Sequence, residues 1–305
     1  MLPKVSIQIP TYNQSEYLSL AIDSALMQDY KNLEIVIADD CSEDDTKEIV
    51  SGFQDSRIRY FCNPANIGRV ANYRKALYEY CTGDWVVNLD GDDCYVDAGF
   101  ISRAMSLISQ FKKKGNSIVF YQAAIMVKNE KTGEQSKKSH HILRGREFGV
   151  FRDYYLKVYR KNAFFSHLTT IYKRDTALKI GFYEYDTLNT DFESIAKLSF
   201  YGDAILDNSI AGMWRLHEGN ATYGFKEFIK KSTRDLMGRL DRYAKEANPV
   251  MYAQGLGKVV KKENELLHLE WLADFGLFKE LVYYIIKYQR GYFRIPLLIV
   301  KSLIR

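Results

Sequence analysis

The 305 residues carry 47% hydrophobic and 27% charged side chains, which suits a folded chain with a large core and excludes a disordered or low-complexity one. The formal charge of +5 is uneven: residues 225 to 305 hold 16 Lys/Arg against 9 Asp/Glu, leaving residues 1 to 224 at −2. Cys41, Cys62, Cys81 and Cys94 form no CxxC pair, so neither a zinc site nor a disulfide framework is expected, and reduced thiols in a cytosolic protein are the plain reading.

The amino terminus shows no cleavable signal pattern and begins as an alternating strand over residues 4 to 9, broken by Pro10-Thr11-Tyr12-Asn13 into a turn. Ser15 can cap a helix in which Tyr17, Leu18, Ala21, Ile22, Ala25 and Leu26 recur at helical spacing. A strand at 33 to 38 runs into Asp39-Asp40 and an acidic loop. A helix follows from Asp44-Asp45-Thr46 to Phe53, then a short strand from Arg57 to Phe61. Asn63 to Gly68 reads as a turn, 69 to 81 as a helix, and 84 to 89 as an apolar strand ending in Asp90-Gly91-Asp92-Asp93. Such alternation predicts an α/β fold: a Rossmann-like mixed, mainly parallel sheet with helices on both faces. Ligands of such sheets lie beyond the carboxyl ends of the strands, and residues 10 to 13, 39 to 40 and 90 to 93 all fall at that edge.

The carboxylates at 90, 92 and 93 supply hard oxygen ligands suited to Mg²⁺ or Mn²⁺ holding a diphosphate. Asp90 and Asp92, one residue apart on extended chain, project to the same side and can share one cation. Acids also crowd solvated loops and calcium sites, and an Asp-x-Asp pair serves some phosphatases. Further along, a helix is expected at 97 to 111, a strand at 116 to 127, and a hairpin tip or lid at Lys128 to His141. Aromatic-rich helical sequence fills 147 to 160, and a strand 168 to 173. Asp175 caps a short helix before Ile180, and another helix opens at Thr190-Asp191-Phe192-Glu193 and runs to about 201. From 225 the pattern is a helical appendage with a break at Asn248-Pro249. After Glu280 come Lys287, Arg290, Arg294, Lys301 and Arg305 with no acid, among tyrosines and the apolar run Ile295 to Val300. That composition fits an anionic membrane surface at 280 to 305 better than nucleic acid, for which no motif is present, and the run is too short to span a bilayer. Docking of a last helix on the body accounts for the same apolar positions.

Val5 to Asn13, Ile37 to Asp44, Asn66-Ile67-Gly68, Gly83 to Asp93 and Thr190 to Glu193 together, in order and spacing, resemble the family 2 glycosyltransferases, inverting enzymes of the GT-A fold. The resemblance implies a nucleotide-diphosphate sugar donor, a UDP-sugar by preference, and Mn²⁺ or Mg²⁺ held at Asp90 and Asp92 with Asp93 adjacent and Gly91 in the turn. Pro10, Thr11, Tyr12 and Asn13 would line the nucleoside pocket. Asp40 would accept a hydrogen bond from the base, with Asp39 beside it capping or orienting the loop. Arg69 and Arg74, behind the Asn66 to Gly68 turn, would contact base or diphosphate, as guanidinium suits phosphate oxygens. Asp191 would be the general base; here Thr190 replaces the customary preceding acid, and Glu193 is a candidate to share the task. Trp214-Arg215-Leu216-His217 is similar to an aromatic-Arg-x-His segment following the last core strand, with Arg215 or His217 steadying the departing charge. His167 would face acceptor or phosphates.

The expectation is therefore a metal-dependent, single-sugar transfer to a hydroxyl of a glycan or lipid-linked acceptor in cell-surface polysaccharide synthesis. Residues 1 to 224 would form the catalytic domain and 225 to 305 a basic region for acceptor or membrane-surface association, in a cytoplasmic protein peripheral to the inner face of the membrane. Non-processive action is favoured because the chain lacks transmembrane helices and the Gln-x-x-Arg-Trp signature. Two other classes stay open. A sugar-nucleotide nucleotidyltransferase would carry a glycine-rich, basic first loop where this chain has Pro10 to Gln14, and a non-catalytic carbohydrate or membrane-surface module would be unaffected by loss of Asp191.

Overall fold

The computed structural model describes residues 2–151, 166–220, 226–247 and 249–253. The chain divides into two compact units, Met1–Tyr223 and Gly224–Arg305. The first opens with β1 (Val5–Thr11), α1 (Ser15–Leu26), β2 (Leu33–Asp39), α2 (Thr46–Ser51) and β3 (Ile58–Cys62). Then come α3 (Arg69–Lys75), which widens into a π-helical turn at Ala76–Tyr80, β4 (Trp85–Asn88), β5 (Cys94–Tyr95), α4 (Phe100–Lys113) and β6 (Ile118–Asn129). β7 (Gln135–Lys138), β8 (Phe148–Phe151), β9 (Thr170–Lys173), α5 (Arg174–Lys179), α6 (Thr190–Leu198) and β10 (Asp203–Leu216) complete it.

The strands form one mixed sheet in the order β3-β2-β1-β4-β9-β6-β10-β5, with β7 paired to β6 and β8 to β10. Pairing is parallel from β3 to β4 and antiparallel on both sides of β9. β1 is buried throughout, as are β2 and β4, because a central parallel strand is covered on both faces. Period-two alternation sorts their side chains. Val5, Ile7, Ile9, Ile35, Ile37, Val87 and Leu89 join one core with Leu18, Ala21 and Ile22 of α1 and Phe100, Ile101 and Met105 of α4. Truncating one of these large side chains to alanine would cost about 2–5 kcal/mol.

The other face of the same strands is polar and satisfied. Gln8 donates to Asn88 Oδ1 (2.9 Å), and Asn88 donates onward to Asp90 Oδ1 (2.8 Å). At the far end, buried Glu34 accepts from Ser6 Oγ, Lys4 Nζ (2.7 Å), Arg59 Nη1 (3.1 Å), and Thr82 backbone and hydroxyl.

Four expectations change. β1 continues through Pro10 and Thr11, which pair with Ala38 and Asp39, so the first turn starts at Tyr12. Phe148–Phe151 is a strand antiparallel to β10, not the start of a helix, because its apolar side chains pack at a sheet edge; residues 152 to 160 of that expected helix lie outside the described residues. Trp214, Arg215 and Leu216 are the end of β10 rather than a segment after it. The two-residue β5 was not foreseen. Lys128 to His141 is a hairpin, Gly133 making its left-handed turn at φ 73°.

In the second unit a long helix, α7 (Lys226–Ala247), buries Leu236, Leu240 and Ala244 at four-residue spacing. Pro249 opens the next short helix, Pro249–Met251. Residues 280 to 305, where membrane-surface contact is expected, lie outside the described residues. Among the described residues no helix is long and apolar enough to cross a membrane.

Candidate active site

β1 and β4 pair only as far as Gln8 and Asn88. Pro10 has no N–H to offer, and it stands where the ladder with β4 has already ended, so its presence in a central strand costs no bond there. Beyond that point the last two carbonyls of β1 serve the loops instead. Pro10 O accepts Gly91 N–H (3.2 Å) and Thr11 O accepts Asp40 N–H (2.9 Å). The acidic turn after β4 and the acidic loop after β2 thus hang from adjacent peptide units of one strand.

Oxygens of Asp90, Asp92 and Asp93 lie within 4.8 Å of one another. Each carboxylate has a different support. Asp90 Oδ2 meets His167 Nε2 at 3.1 Å, and Tyr73 also hydrogen-bonds to it. Asp92 Oδ2 meets His217 Nε2 at 3.1 Å and Asn220 Nδ2 at 3.3 Å. Asp93 Oδ1 accepts the Arg215 backbone N–H at 2.9 Å.

Burial and the like charges of Asp92 and Asp90 push the Asp93 carboxyl well above the usual range, and burial with the Asp90 charge raises Asp92. Burial would raise Asp90 as well, but the His167 charge and the hydrogen bonds around it hold it below the usual range. Burial disfavours charge on His167, yet Asp90 and then Asp191 outweigh it and raise its pKa. The cluster therefore fits a divalent cation: oxygen donors converge, and a positive ion would relieve the repulsion that raises two of them.

His217 Nδ1 accepts the Gly219 N–H (3.2 Å), which fixes its proton on Nε2, facing Asp92. The ring stacks on Tyr17 with centroids 4.8 Å apart, and the Arg215 guanidinium lies 5.5 Å from the same Tyr17 ring. Arg215 Nε is 3.7 Å from Glu130 Oε1. Arg215 and His217 are thus both beside the acids, the first through its backbone and the second through its ring.

Asp191 stands in the first turn of α6, half-buried, and no hydrogen bond to its carboxylate occurs among the described residues. Its charge acts on His167, Arg69 and Tyr183, and Asp90 acts on the same three. Glu193, two positions further round the helix, is buried and 3.9 Å from Lys197 Nζ, so it sits in the interior beside that lysine. Arg69 donates to Thr187 O (3.0 Å) and sits 5.4 Å from the Tyr73 ring. Arg74 is elsewhere: it donates to Phe182 O (3.1 Å) and covers Tyr78 at 4.2 Å, which fastens α3 to the loop before α6.

Both oxygens of Asp40 are committed to the next turn, accepting from Asn63 Nδ2, Ile67 N–H and Gly68 N–H, each at 2.9 Å. Asn66 Oδ1 adds a second bond to Gly68 N–H (3.0 Å). Asp39 accepts from Ser42 and from the Tyr60 hydroxyl (2.6 Å) and so shapes the loop it ends. Asn13, at φ 52°, bridges to Ser42 and Glu43. Tyr12 is 44% exposed, leaving its ring available to a ligand.

Sequence reasoning passed over Tyr17, Tyr73, Asn88, Tyr183 and Asn220. Two carried a signal. Tyr73 is four residues after Arg69 and shares its helix face, and Asn88 is two residues before Asp90 on extended chain. Tyr183 reaches the cluster through tertiary contacts alone, and Asn220 reaches it from a local turn in which its Oδ1 accepts His217 N–H (2.6 Å).

The chain is 38% identical over 140 residues to the GalNAc(5)-diNAcBac-PP-undecaprenol beta-1,3-glucosyltransferase of Campylobacter jejuni, 45% of this chain and 42% of that one. It is 32% identical over 130 residues to a UDP-Glc:alpha-D-GlcNAc-diphosphoundecaprenol beta-1,3-glucosyltransferase of Escherichia coli, 43% and 49% of the two chains. The chain thus spans less than half the length of these curated relatives. In fold it is similar to Staphylococcus aureus TarS 1-349 in complex with UDP-GlcNAc, with TM-score 0.62, 20% identity and 90% and 80% coverage. It also matches the mannosyltransferase PcManGT from Pyrobaculum calidifontis in complex with GDP-Man and Mn²⁺, with TM-score 0.55, 16% identity and 100% and 87% coverage. The family model described as glycosyl transferase family 2 matches residues 6–181, more than half of the sequence, and the chain belongs to that family.

Proposed function

We propose that the protein transfers one sugar from a nucleoside-diphosphate sugar, with a UDP-sugar as donor, to a hydroxyl of a lipid-linked or glycan acceptor in cell-surface polysaccharide synthesis. The observation that carries this reading is the convergence of Asp90, Asp92 and Asp93 with Asp191 around His167 and Arg69, on one edge of the sheet. The relatives' names support a UDP-linked glucose donor and acceptors carried on a diphosphate-linked polyprenol.

In this reading Asp90, Asp92 and Asp93 hold Mn²⁺ or Mg²⁺, which when bound neutralises the donor diphosphate. His217 orients Asp92 from Nε2, and Tyr17, stacked beneath that ring, keeps it there. Tyr12 and Asn13 flank the nucleoside, while Asp40 holds the Asn66 to Gly68 turn in shape to receive it. Asp191 accepts the proton of the acceptor hydroxyl as that oxygen bonds to C1 and the C1–O bond to the diphosphate breaks. A single displacement of this kind inverts the anomeric centre. Met1–Tyr223 would perform this chemistry and Gly224–Arg305 would favour the acceptor or the cytoplasmic membrane surface, a role supported by the basic, aromatic composition of 280 to 305.

The test is release of nucleoside diphosphate from a panel of labelled sugar donors with Mn²⁺ or Mg²⁺, for wild type and Asp191→Asn. Loss of about 10²–10⁴-fold in kcat at little-changed donor KM is expected for the variant. Equal turnover of the two proteins would remove Asp191 from the mechanism, and pyrophosphate in place of nucleoside diphosphate would indicate nucleotidyl transfer.

A further inference from the structure

At the opposite edge of the sheet, where β6 begins, the described residues form a concavity of about 400 Å³. Three lysines from three elements line it. Lys112 lies in the last turn of α4, Lys173 ends β9, and Lys179 ends α5. The hydroxyl residues Ser117, Thr176 and Tyr201 share the lining, and no Asp or Glu does. None of the three lysines forms an ion pair with a carboxylate among the described residues. Asp203 lies at this edge but is buried, its Oδ2 accepting from Asn116 Nδ2 (2.9 Å) and Ser117 N–H (3.2 Å).

Aromatic rings hold two of the cations in place. Lys112 Nζ is 5.3 Å from the Trp85 ring centroid, and Lys179 Nζ is 5.5 Å from that of Tyr201. Lysines at helix C-termini answer the helix dipole, but that dipole supplies only about half a negative charge per helix. Two such ends and the Asp203 carboxylate against three ammonium groups still leave the cavity positive, and Lys173, on a strand, has no dipole to answer. The cavity is also remote from the acids. Lys173 pairs with Trp85 at the start of β4, and the chain from Trp85 to Asp90 spans roughly 16 Å at ~3.3 Å per residue.

We propose that this cavity is a second, cation-independent anion site that takes a phosphate or diphosphate group, distinct from the donor site. Its volume falls in the range of small-ligand pockets, about 300–1,000 Å³. The recognition is by ammonium charge with hydroxyl donors, which suits either a free phosphate compound or the phosphate of a lipid headgroup. This goes beyond the transfer reaction and does not require it.

The experiment is calorimetric titration of the full chain with inorganic pyrophosphate in EDTA, where a cation-dependent site is silent. Saturable binding that weakens as salt rises is expected, falling by about tenfold or more in the triple variant Lys112→Gln, Lys173→Gln, Lys179→Gln. UDP binding with Mn²⁺ should be equal in the two proteins, which reads the donor site separately. A triple Lys→Arg variant, keeping charge, should retain the pyrophosphate affinity. Sedimentation with phosphatidylcholine vesicles, with and without phosphatidylglycerol, then distinguishes the source. Lysine-dependent pelleting assigns a lipid headgroup, and lysine-dependent pyrophosphate binding without it assigns a free phosphate. If neither pyrophosphate nor anionic vesicles distinguish wild type from the Gln variant, the site does not exist.

Discussion

Gly91 and Gly68 are both required, for opposite reasons. A Cβ at Gly91 would stand 2.6 Å from Gln14 Oε1 and 2.9 Å from Thr11 Oγ1, because the acidic turn lies directly on the first turn. Gln14 can swing aside, but Thr11 is buried with a stiff β-branched side chain. At Gly68 there is open space, and the demand is the backbone alone, φ 92°. Gly91→Ala is therefore expected to displace Asp90 and Asp92 and lower kcat/KM by about 10²-fold with little loss of melting temperature. Gly68→Ala is expected to cost about 1 kcal/mol in stability. Thermal melts alongside initial rates separate the two, and a full-rate Gly91→Ala enzyme would contradict the crowding seen here. Asp191 and Glu193 make a similar contrast, since two positions on a helix leave one carboxylate half-buried, its charge felt by His167, and bury the other beside Lys197.

Strands carry chemistry at one end and stability at the other. Burial pushes the Glu34 carboxyl up, but hydrogen bonds from Lys4, Ser6 and Thr82 outweigh it and hold it at about 2, from an ordinary 4.5. A depressed carboxyl contributes stability that is fully present above the unfolded value and is lost as pH falls toward the folded one. Some 3 kcal/mol should therefore disappear between about pH 5 and 2. Glu34→Gln should lose a comparable amount at pH 7, and the gap between variant and wild type in denaturant melts should close over that acid window. A constant gap would show that the ion pairs to Lys4 and Arg59 contribute little. The same strands explain what could be read without coordinates. The β3 to β4 half was legible because β1, β2 and β4 are buried throughout, half-buried β3 is a short apolar run beside them, and each ends in a turn or acid signal. β10 was not, because Asp207-Asn208-Ser209 interrupts its apolar run, and beyond the local bond from Ser209 N–H to Asp207 these residues are satisfied by distant partners: Asp207 by Tyr121 and Arg103, Asn208 by His140. Arg74 was misplaced for a related reason, since sequence cannot tell which face of α3 meets the loop at Phe182.

For the molecule as a whole, the acid cluster is a liability unless a cation is present. Asp92 and Asp93 are raised by burial and mutual repulsion, so Mn²⁺ or Mg²⁺ that binds only the folded state should stabilise it, by about 2.7 kcal/mol at 100 times its Kd. An upward shift of a few degrees in melting temperature is expected on adding Mn²⁺ to EDTA-treated protein, and none in Asp90→Asn with Asp92→Asn. The same shift in wild type and double variant would place the ion elsewhere. One further consequence concerns β1. The two latches that set the acidic loops in register are peptide carbonyls, at Pro10 and Thr11, and therefore indifferent to which side chains those positions carry. A substitution leaves both latches intact so long as the side chain at position 11 stays small enough to lie beside Gly91, whereas inserting or deleting a single residue upstream in that strand would slide both loops at once.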